Sequence, residues 1–429
     1  MERDMESAPL LSRSSGKPAS TQKAENFSMM SVVAGAVIVA NLFVIAAVIP
    51  YTWKPVANSP SMAAVLEGKG VEQLSIKSAE QKAIMWGVFK HTYGKFYESE
   101  QEEQTRFGNF LKNLERIDEM NFASPHATFG ITAFADIDHA AYISAPSILE
   151  TDHFLSQLAS GADDGTSALA KSLGYSPTIN EEEERDLGSL PDSWDWRDFN
   201  KVTEVKNIGT TCEASWAVTA VEDLEGSWAI DNDIDAIPLS VQEVASCEKP
   251  DTDDGCAPGG EPSHAFGFMI HVNGVESQEE YPIEIEEDTE TMPECKTDDL
   301  SSFTNSASIE SWEVLKSSSN TQVKGHLVDI GPLAVMLNRN QILHYTGGID
   351  VASDCDASHL NHSMLLVGYN KDESGKLYWI LKGSYGASWG DDGYYKIYAS
   401  DGACGVTKLV THSRVMPLEQ PRPNLGWWE

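Results

Sequence analysis

The sequence predicts an α+β protein fronted by a helical domain and carried on one transmembrane helix. Three observations lead there. Residues 29–50 contain no charged side chain. Aromatic and aliphatic residues recur at helical spacing between Glu80 and Asn121. Past residue 190, the segments around Ser215, His362 and Gly383 carry residue orders, quoted below, that set helix and strand in one C-terminal domain.

Residues 1–28 form a short tail in which Arg3, Arg13, Lys17 and Lys23 balance Glu2, Asp4, Glu6 and Glu25. Residues 29–50 would make a helix of roughly 33 Å, enough for a bilayer core of about 30 Å. Lys54 and Lys69 are the only basic residues in the stretch just after it. The positive-inside rule therefore puts the N-terminus in the cytoplasm and the remainder in a lumen or outside, the topology of a single-pass signal anchor. The run Glu6-Ser7-Ala8-Pro9-Leu10-Leu11 is similar to an acidic dileucine sorting signal, which points to an endosome, lysosome or vacuole.

The chain has 30 basic and 66 acidic residues, a formal net charge of −36. A phosphate backbone would be repelled, so nucleic acid is excluded as a partner. All six cysteines lie beyond residue 200, an even number that fits three disulfides in an oxidising compartment. No Cys-x-x-Cys spacing is present, so neither a metal nor a cofactor is expected.

Residues 51–79 read as a polar linker. Trp86, Phe89, Tyr93 and Phe96 then mark a first amphipathic helix, and Phe107, Phe110, Leu114 and Ile117 one face of a second. Within the second, Glu102, Arg106, Phe110, Asn113, Ile117 and Asn121 match every position of the interrupted helical motif of cathepsin L-like propeptides. Packing alone explains the apolar positions but not Glu102, Arg106 and the two asparagines. The run Gly130-Ile131-Thr132-Ala133-Phe134-Ala135-Asp136 resembles the motif that follows in those propeptides, with Thr132 in place of the usual Asn. The resemblance makes residues 80–137 a propeptide inhibitor-like domain. Residues 138–190 follow as an acidic connector containing Glu181 to Glu184.

Pro191-Asp192-Ser193-Trp194-Asp195-Trp196-Arg197 resembles the start of the mature domain of papain-like cysteine peptidases. That domain would span residues 191–416 and leave 417–429 as a tail. Val205 to Ala217, ending Cys212-Glu213-Ala214-Ser215-Trp216-Ala217, resembles the family's active-site signature. There the residue before the Trp is the nucleophilic thiol; here it is Ser215. Ala217, Val218, Val221, Leu224 and Trp228 keep the apolar face of the helix that follows. In the family the helix dipole and an imidazolium lower the thiol pKa from about 8.5 to as little as ~3–4. A serine hydroxyl is not ionised by such fields and needs a base in the transition state.

Asn361-His362-Ser363-Met364-Leu365-Leu366-Val367-Gly368-Tyr369 resembles the family's histidine segment, an inward-facing strand, and puts His362 in the base position. The segment Tyr378 to Gly390 resembles one in which Asn stands at the place of Gly383. Glycine cannot orient an imidazole. Trp389 is retained there, and Tyr385 replaces the Trp that shields the His–Asn contact. The family's oxyanion glutamine falls on Ile208 if Thr210-Thr211 carries a one-residue insertion, and otherwise on Gly209. Neither has a side-chain donor, and losing one such donor costs about 10²–10³ in rate. Asn207 and Asn361 are the neighbours that could substitute.

The resemblance also assigns Gly259, Gly260, Trp216 and Trp389 to the peptide-binding cleft, a plain turn being the alternative for the glycine pair. It pairs Cys212 with Cys247, Cys256 with Cys295, and Cys355 with Cys404. The implied architecture is a papain-like two-lobed fold, a helical lobe and a β-barrel-like lobe, whose cleft the propeptide plugs. The function expected is a papain-family pseudopeptidase, catalytically inactive or impaired. Its partners would be a peptide or protein in the cleft, its own propeptide domain, and the membrane through residues 29–50. The alternatives are an active peptide hydrolase using Ser215 and His362, or a tethered inhibitor of active cathepsins through residues 80–137.

Overall fold

The computed structural model describes residues 73–143, 178–180, 190–248, 256, 260–285, 291–296, 305–315, 319–400 and 402–415. Helix α1 (Ala79–Thr92) opens on a capping box in which Ser78 and Gln81 satisfy each other's backbone N–H. It stops where Gly94 takes a φ of 62° and the Lys95 N–H reaches the Lys90 carbonyl at 2.9 Å. Phe96, expected on the apolar face of this helix, therefore lies beyond its end and is exposed. Helix α2 (Glu100–Ala123) packs Phe110 and Leu114 against Trp86 and Phe89 of α1.

The motif asparagines of α2 pair backbone groups that the β1–β6 ladder does not use. Asn113 Nδ2 donates to the carbonyls of Ala135 and Ile137 at 2.9 and 3.0 Å. Asn121 exchanges two 2.9 Å hydrogen bonds with Phe129, accepting from its N–H and donating to its carbonyl. Buried backbone groups must be paired, and an amide side chain can donate and accept at once. That requirement is what the apolar periodicity alone left unexplained.

Strand β1 (Ala127–Phe129) and the short helix α3 (His139–Ile143) complete the N-terminal region. The C-terminal domain then runs β2 (Thr178–Asn180), β3 (Trp194–Asp195), α4 (Ser215–Asp231), α5 (Val241–Cys247), α6 (Pro262–His271), β4 (Ile309–Leu315), α7 (Asn320–Asp329), β5 (Leu333–Leu337), β6 (Tyr345–Gly348), β7 (His362–Lys371), β8 (Leu377–Lys382), β9 (Tyr394–Tyr398) and β10 (Val410–Val415). The main sheet has the order β2-β4-β10-β5-β7-β8-β9, with β3 added on β7. Its pairs are antiparallel except β2 with β4. One core gathers α4, α5 and α6 around Trp216, Leu224 and Phe266; the other fills the sheet around Leu366, Trp379 and Tyr395.

Helix α4 is buried from Ser215 to Ala229 and forms the boundary between the two cores. Glu222 and Glu225 of this helix are matched by lysines from outside it, while Asp223 accepts from the Ser413 N–H at 2.6 Å. Lys206 Nζ lies 2.6 Å from Glu225, and Lys382 Nζ of β8 lies 2.7 Å from Glu222, with all four side chains at most 4% exposed. Thr203 donates to Glu225 at 2.6 Å and the Leu239 N–H does so at 2.7 Å. Four buried charges are tolerable here because each has an opposite charge in contact.

Two of the expected disulfide pairings are corrected. The bonds are Cys212–Cys256, Cys247–Cys295 and Cys355–Cys404, so only the last follows expectation. The Glu213 N–H donates to the Cys256 carbonyl at 2.9 Å, which lays Cys256 beside Cys212 and leaves Cys247, at the end of α5, to reach Cys295. Cα separations of 4.6, 4.8 and 5.0 Å all suit a disulfide.

The expected transmembrane helix is also corrected, and with it the single-pass topology and the lumenal placement built on it. Among the described residues no helix is long and apolar enough to cross a membrane. Residues 29–50, on which the expectation rested, lie outside the described residues, as does the dileucine-like run of the N-terminal tail.

Candidate active site

Ser215 is the first residue of α4, and no side chain caps this end of the helix. The unpaired amides of the first turn give that end a partial positive charge. The Ser215 hydroxyl is buried and accepts from the Ser363 N–H at 3.4 Å, and among the described residues it makes no hydrogen bond to His362.

His362 begins β7, in register with Leu337 of β5. Its ring stacks on that of Tyr385, with centroids 5.5 Å apart and planes 11° from parallel. The Tyr385 hydroxyl stands 3.2 Å from Nε2 and 3.5 Å from Nδ1. Burial, reinforced by the positive charge of Arg339, pulls the His362 pKa down to about 3. The imidazole is therefore neutral at ordinary pH, but a base this weak holds a proton poorly.

Gly383 leaves no room for a larger side chain. A Cβ there would lie 2.8 Å from Cζ3 of Trp389, so the indole occupies the space. Trp389 is buried, donates from Nε1 to the Ile342 carbonyl at 3.2 Å, and packs edge-on against Tyr385 at 5.2 Å. Ile208 lines the same small cavity as Ser215 and His362, but its N–H is committed to the Ser384 carbonyl at 3.0 Å. Asn207 accepts from the Gly209 N–H at 3.0 Å. Asn361 accepts from the Arg339 N–H at 3.0 Å and donates to the Ile143 carbonyl at 3.3 Å. Asn361 is thus engaged elsewhere, whereas Asn207 is engaged through its Oδ1.

Of the residues expected in the cleft, Trp216 is fully buried in the core beneath it. A Cβ on Gly260 would come within 2.7 Å of the Trp216 ring, so glycine is what lets this backbone lie on the indole. Gly259 lies outside the described residues.

The fold brings four further residues to the site that the sequence reading did not single out as site residues. Arg339, on the loop after β5, pairs through Nη1 with Glu213, two positions before Ser215. Burial pushes the Glu213 carboxyl up while Arg339 pulls against it. Tyr385 is the hydrogen-bonding neighbour of His362. Tyr142, from α3, lines the cavity and places its hydroxyl 3.1 Å from that of Tyr385. Burial drives the Tyr142 hydroxyl up to about 12, so it is protonated. A single Arg at the end of an apolar strand was the one signal available in the sequence.

The N-terminal domain is docked on this site. Strand β1 pairs antiparallel with β6. Thr132 donates to the Leu343 carbonyl at 2.6 Å, and Ser124 donates to Asp350 at 2.8 Å. Phe134 meets Tyr385 edge-on at 4.7 Å. Tyr142 of α3 shares one small cavity with Ser215 and His362.

A buried hydroxyl at a helix start, a histidine across from it and a helical domain lying over both describe the proform of a papain-type peptidase. The papain family cysteine protease domain matches residues 190–413, and the cathepsin propeptide inhibitor domain (I29) matches residues 86–142. Cysteine proteinase B of Leishmania mexicana is 32% identical over 342 residues, 79% of this chain and 70% of that protein. Cysteine proteinase 1 of Zea mays is 31% identical, over 75% of this chain and 84% of its own length. Digestive procathepsin L 3 of Tenebrio molitor superposes with a TM-score of 0.62 at 25% identity, covering 79% of this chain and all of that one. A recombinant stem bromelain precursor does so with the same TM-score at 28% identity, over 78% of this chain and 99% of its own. The chain belongs to the papain family of cysteine peptidases. It is a homologue in zymogen-like form, with its own propeptide domain in place.

Proposed function

We propose that this chain is a pseudopeptidase of the papain family, catalytically inactive or much impaired, whose cleft serves as a binding site for a peptide or partner protein. Ser215 takes the position of the family's thiol, His362 that of its base, Gly383 that of its orienting Asn, and Ile208 that of its oxyanion glutamine. The observation that carries the reading is the pairing at the centre. Ser215 Oγ is bonded by a backbone N–H and not by His362, while His362 lies against Tyr385 with its basicity suppressed. A hydroxyl nucleophile needs a general base close to neutrality to be activated. Losses within one catalytic unit do not add, so restoring the thiol alone would not restore the unit.

The test is a peptide-library assay on the full chain after proteolytic opening of the 138–190 connector, at acidic and neutral pH. Wild type, Ser215→Ala and Ser215→Cys are compared. No turnover by wild type or Ser215→Cys is the expected result. Turnover by wild type that Ser215→Ala abolishes would establish a serine peptidase instead.

A further inference from the structure

Tyr142 is held far more specifically than a plug requires. The Arg339 guanidinium lies over its ring, 3.5 Å from the centroid. The same guanidinium donates from Nη2 to the Tyr142 carbonyl. The Tyr142 hydroxyl meets that of Tyr385 at 3.1 Å, and the next carbonyl, of Ile143, accepts from Asn361 Nδ2 at 3.3 Å. Arg339 is itself 1% exposed and is fixed from its other side by Glu213.

Each contact selects for something. A desolvated guanidinium gains most from an aromatic face, and without one it would be left buried and half covered. The Tyr385 hydroxyl, which also lies 3.2 Å from His362 Nε2, favours an occupant that brings a hydroxyl of its own. Two consecutive carbonyls are read by Arg339 and Asn361, so the occupant must be a peptide and not a free phenol. The ring's hydroxyl already touches that of Tyr385, so a phosphate there would have to break that contact.

We propose that Arg339, Tyr385 and Asn361 form a recognition site for a tyrosine within a peptide, read together with its own carbonyl and the next, with Tyr142-Ile143 as its resident ligand. The proposal names the ligand class of the cleft and rests on reading that cleft as a binding site. It predicts that external peptides compete with the chain's own α3 for the same contacts.

The experiment uses the full chain carrying Tyr142→Ala, which empties the ring position and leaves only the carbonyls of α3 for the probe to displace, beside the native chain. The probe is a fluorescent peptide with the sequence of residues 137–145, tested with Tyr, Phe, Leu or phosphotyrosine at the sixth position, and read by anisotropy. The vacated chain should bind the Tyr peptide, the Phe peptide a few-fold more weakly, about what one hydrogen bond contributes. Leu should cost roughly tenfold, the scale of a desolvated cation–π contact, and phosphotyrosine should not bind. The native chain, already occupied, should bind every peptide more weakly. Arg339→Lys in the vacated background keeps the charge but loses the planar fork, and should erase the preference for Tyr over Leu. Circular dichroism confirms that each variant is folded. Equal affinity for Tyr and Leu peptides, or no binding by a folded vacated chain, overturns the proposal. Mass spectrometry of the same samples separates the two readings, since cleavage of the bound peptide counts against the pseudopeptidase and leaves the recognition site standing.

Discussion

The start and the middle of one helix bury polar groups on different terms. Towards its middle, α4 carries Glu222 and Glu225, each in contact with a lysine and nearly sealed from water. At its first residue it carries Ser215, held by one long hydrogen bond to a neighbouring backbone. The first arrangement is complete, so removing one partner from it should be costly. The second is sparse, so its changes should cost little stability. The comparison teaches that burial alone does not show which polar residues the fold depends on; the partners do.

The sharpest way to break that contrast is Lys382→Met. It leaves Glu222 without its closest cation and should destabilise the chain by about 3–5 kcal/mol, the usual result of orphaning a buried charge. Urea unfolding would show this as a lower midpoint, and adding Glu222→Leu should recover much of the loss. At the start of the helix, Ser215→Ala should shift the same midpoint by at most about 1 kcal/mol, the net worth of one ordinary hydrogen bond. Equal effects of Lys382→Met and Ser215→Ala would erase the distinction.

Acid should weaken the docking of the N-terminal domain. His139 of α3 and His344, beside β6, face each other across that interface with ring centroids 6.4 Å apart. Burial and the charge of Arg116 depress His139 to about 4, with the Asn340 carbonyl, Asp354 and Asp138 pulling the other way without winning; burial, then the neighbouring His139 and Arg116, depress His344 to about 3. Once undocked, each regains an ordinary pKa near 6.5. Protons therefore favour the undocked state. Docking is strongest above about pH 6.5 and weakens as pH falls towards 4, by up to about tenfold per unit for each histidine. Hydrogen exchange of the β1 amides across that range measures it, and His344→Phe should flatten the response.

Smaller effects concern the histidine side of the cleft. Gly383→Asn must displace the Trp389 ring and should cost about 1–3 kcal/mol, as overpacking does. Thermal denaturation would read it, and an unchanged melting point would mean that the indole yields freely. Arg339→Ala removes a positive charge that disfavours the imidazolium, so the His362 pKa should rise. Proton NMR titration of the histidine ring would follow the shift, and a pKa that stayed or fell would exclude Arg339 as a cause.

Much of this was legible beforehand for identifiable reasons. Glu102, Arg106, Asn113 and Asn121 could be read as one motif because a helix surface fixes their relative positions. The segments around Ser215 and His362 were recognisable because each is a contiguous stretch on one element. Gly94 ends α1, and the three-and-four spacing that included Phe96 took no account of it. What stayed hidden depended on distance through space. The pairing of Cys212 with Cys256 needs the loop to return over the start of α4, and nothing in the spacing says that it does. Arg339, Glu213 and Tyr142 are separated by about two hundred residues of chain between the first and last of them, and only the folded cleft makes them neighbours.

The pairing of β1 with β6 has a consequence for life after the propeptide. Among the described residues β6 has no other strand beside it, and its partner belongs to the domain that proteolysis would release. Cutting the chain would bare a row of backbone donors and acceptors along Tyr345 to Gly348, the kind of open border along which proteins stick to copies of themselves. Keeping the propeptide attached is therefore also a way of staying soluble as single molecules. A mature form would have to find that border another neighbour.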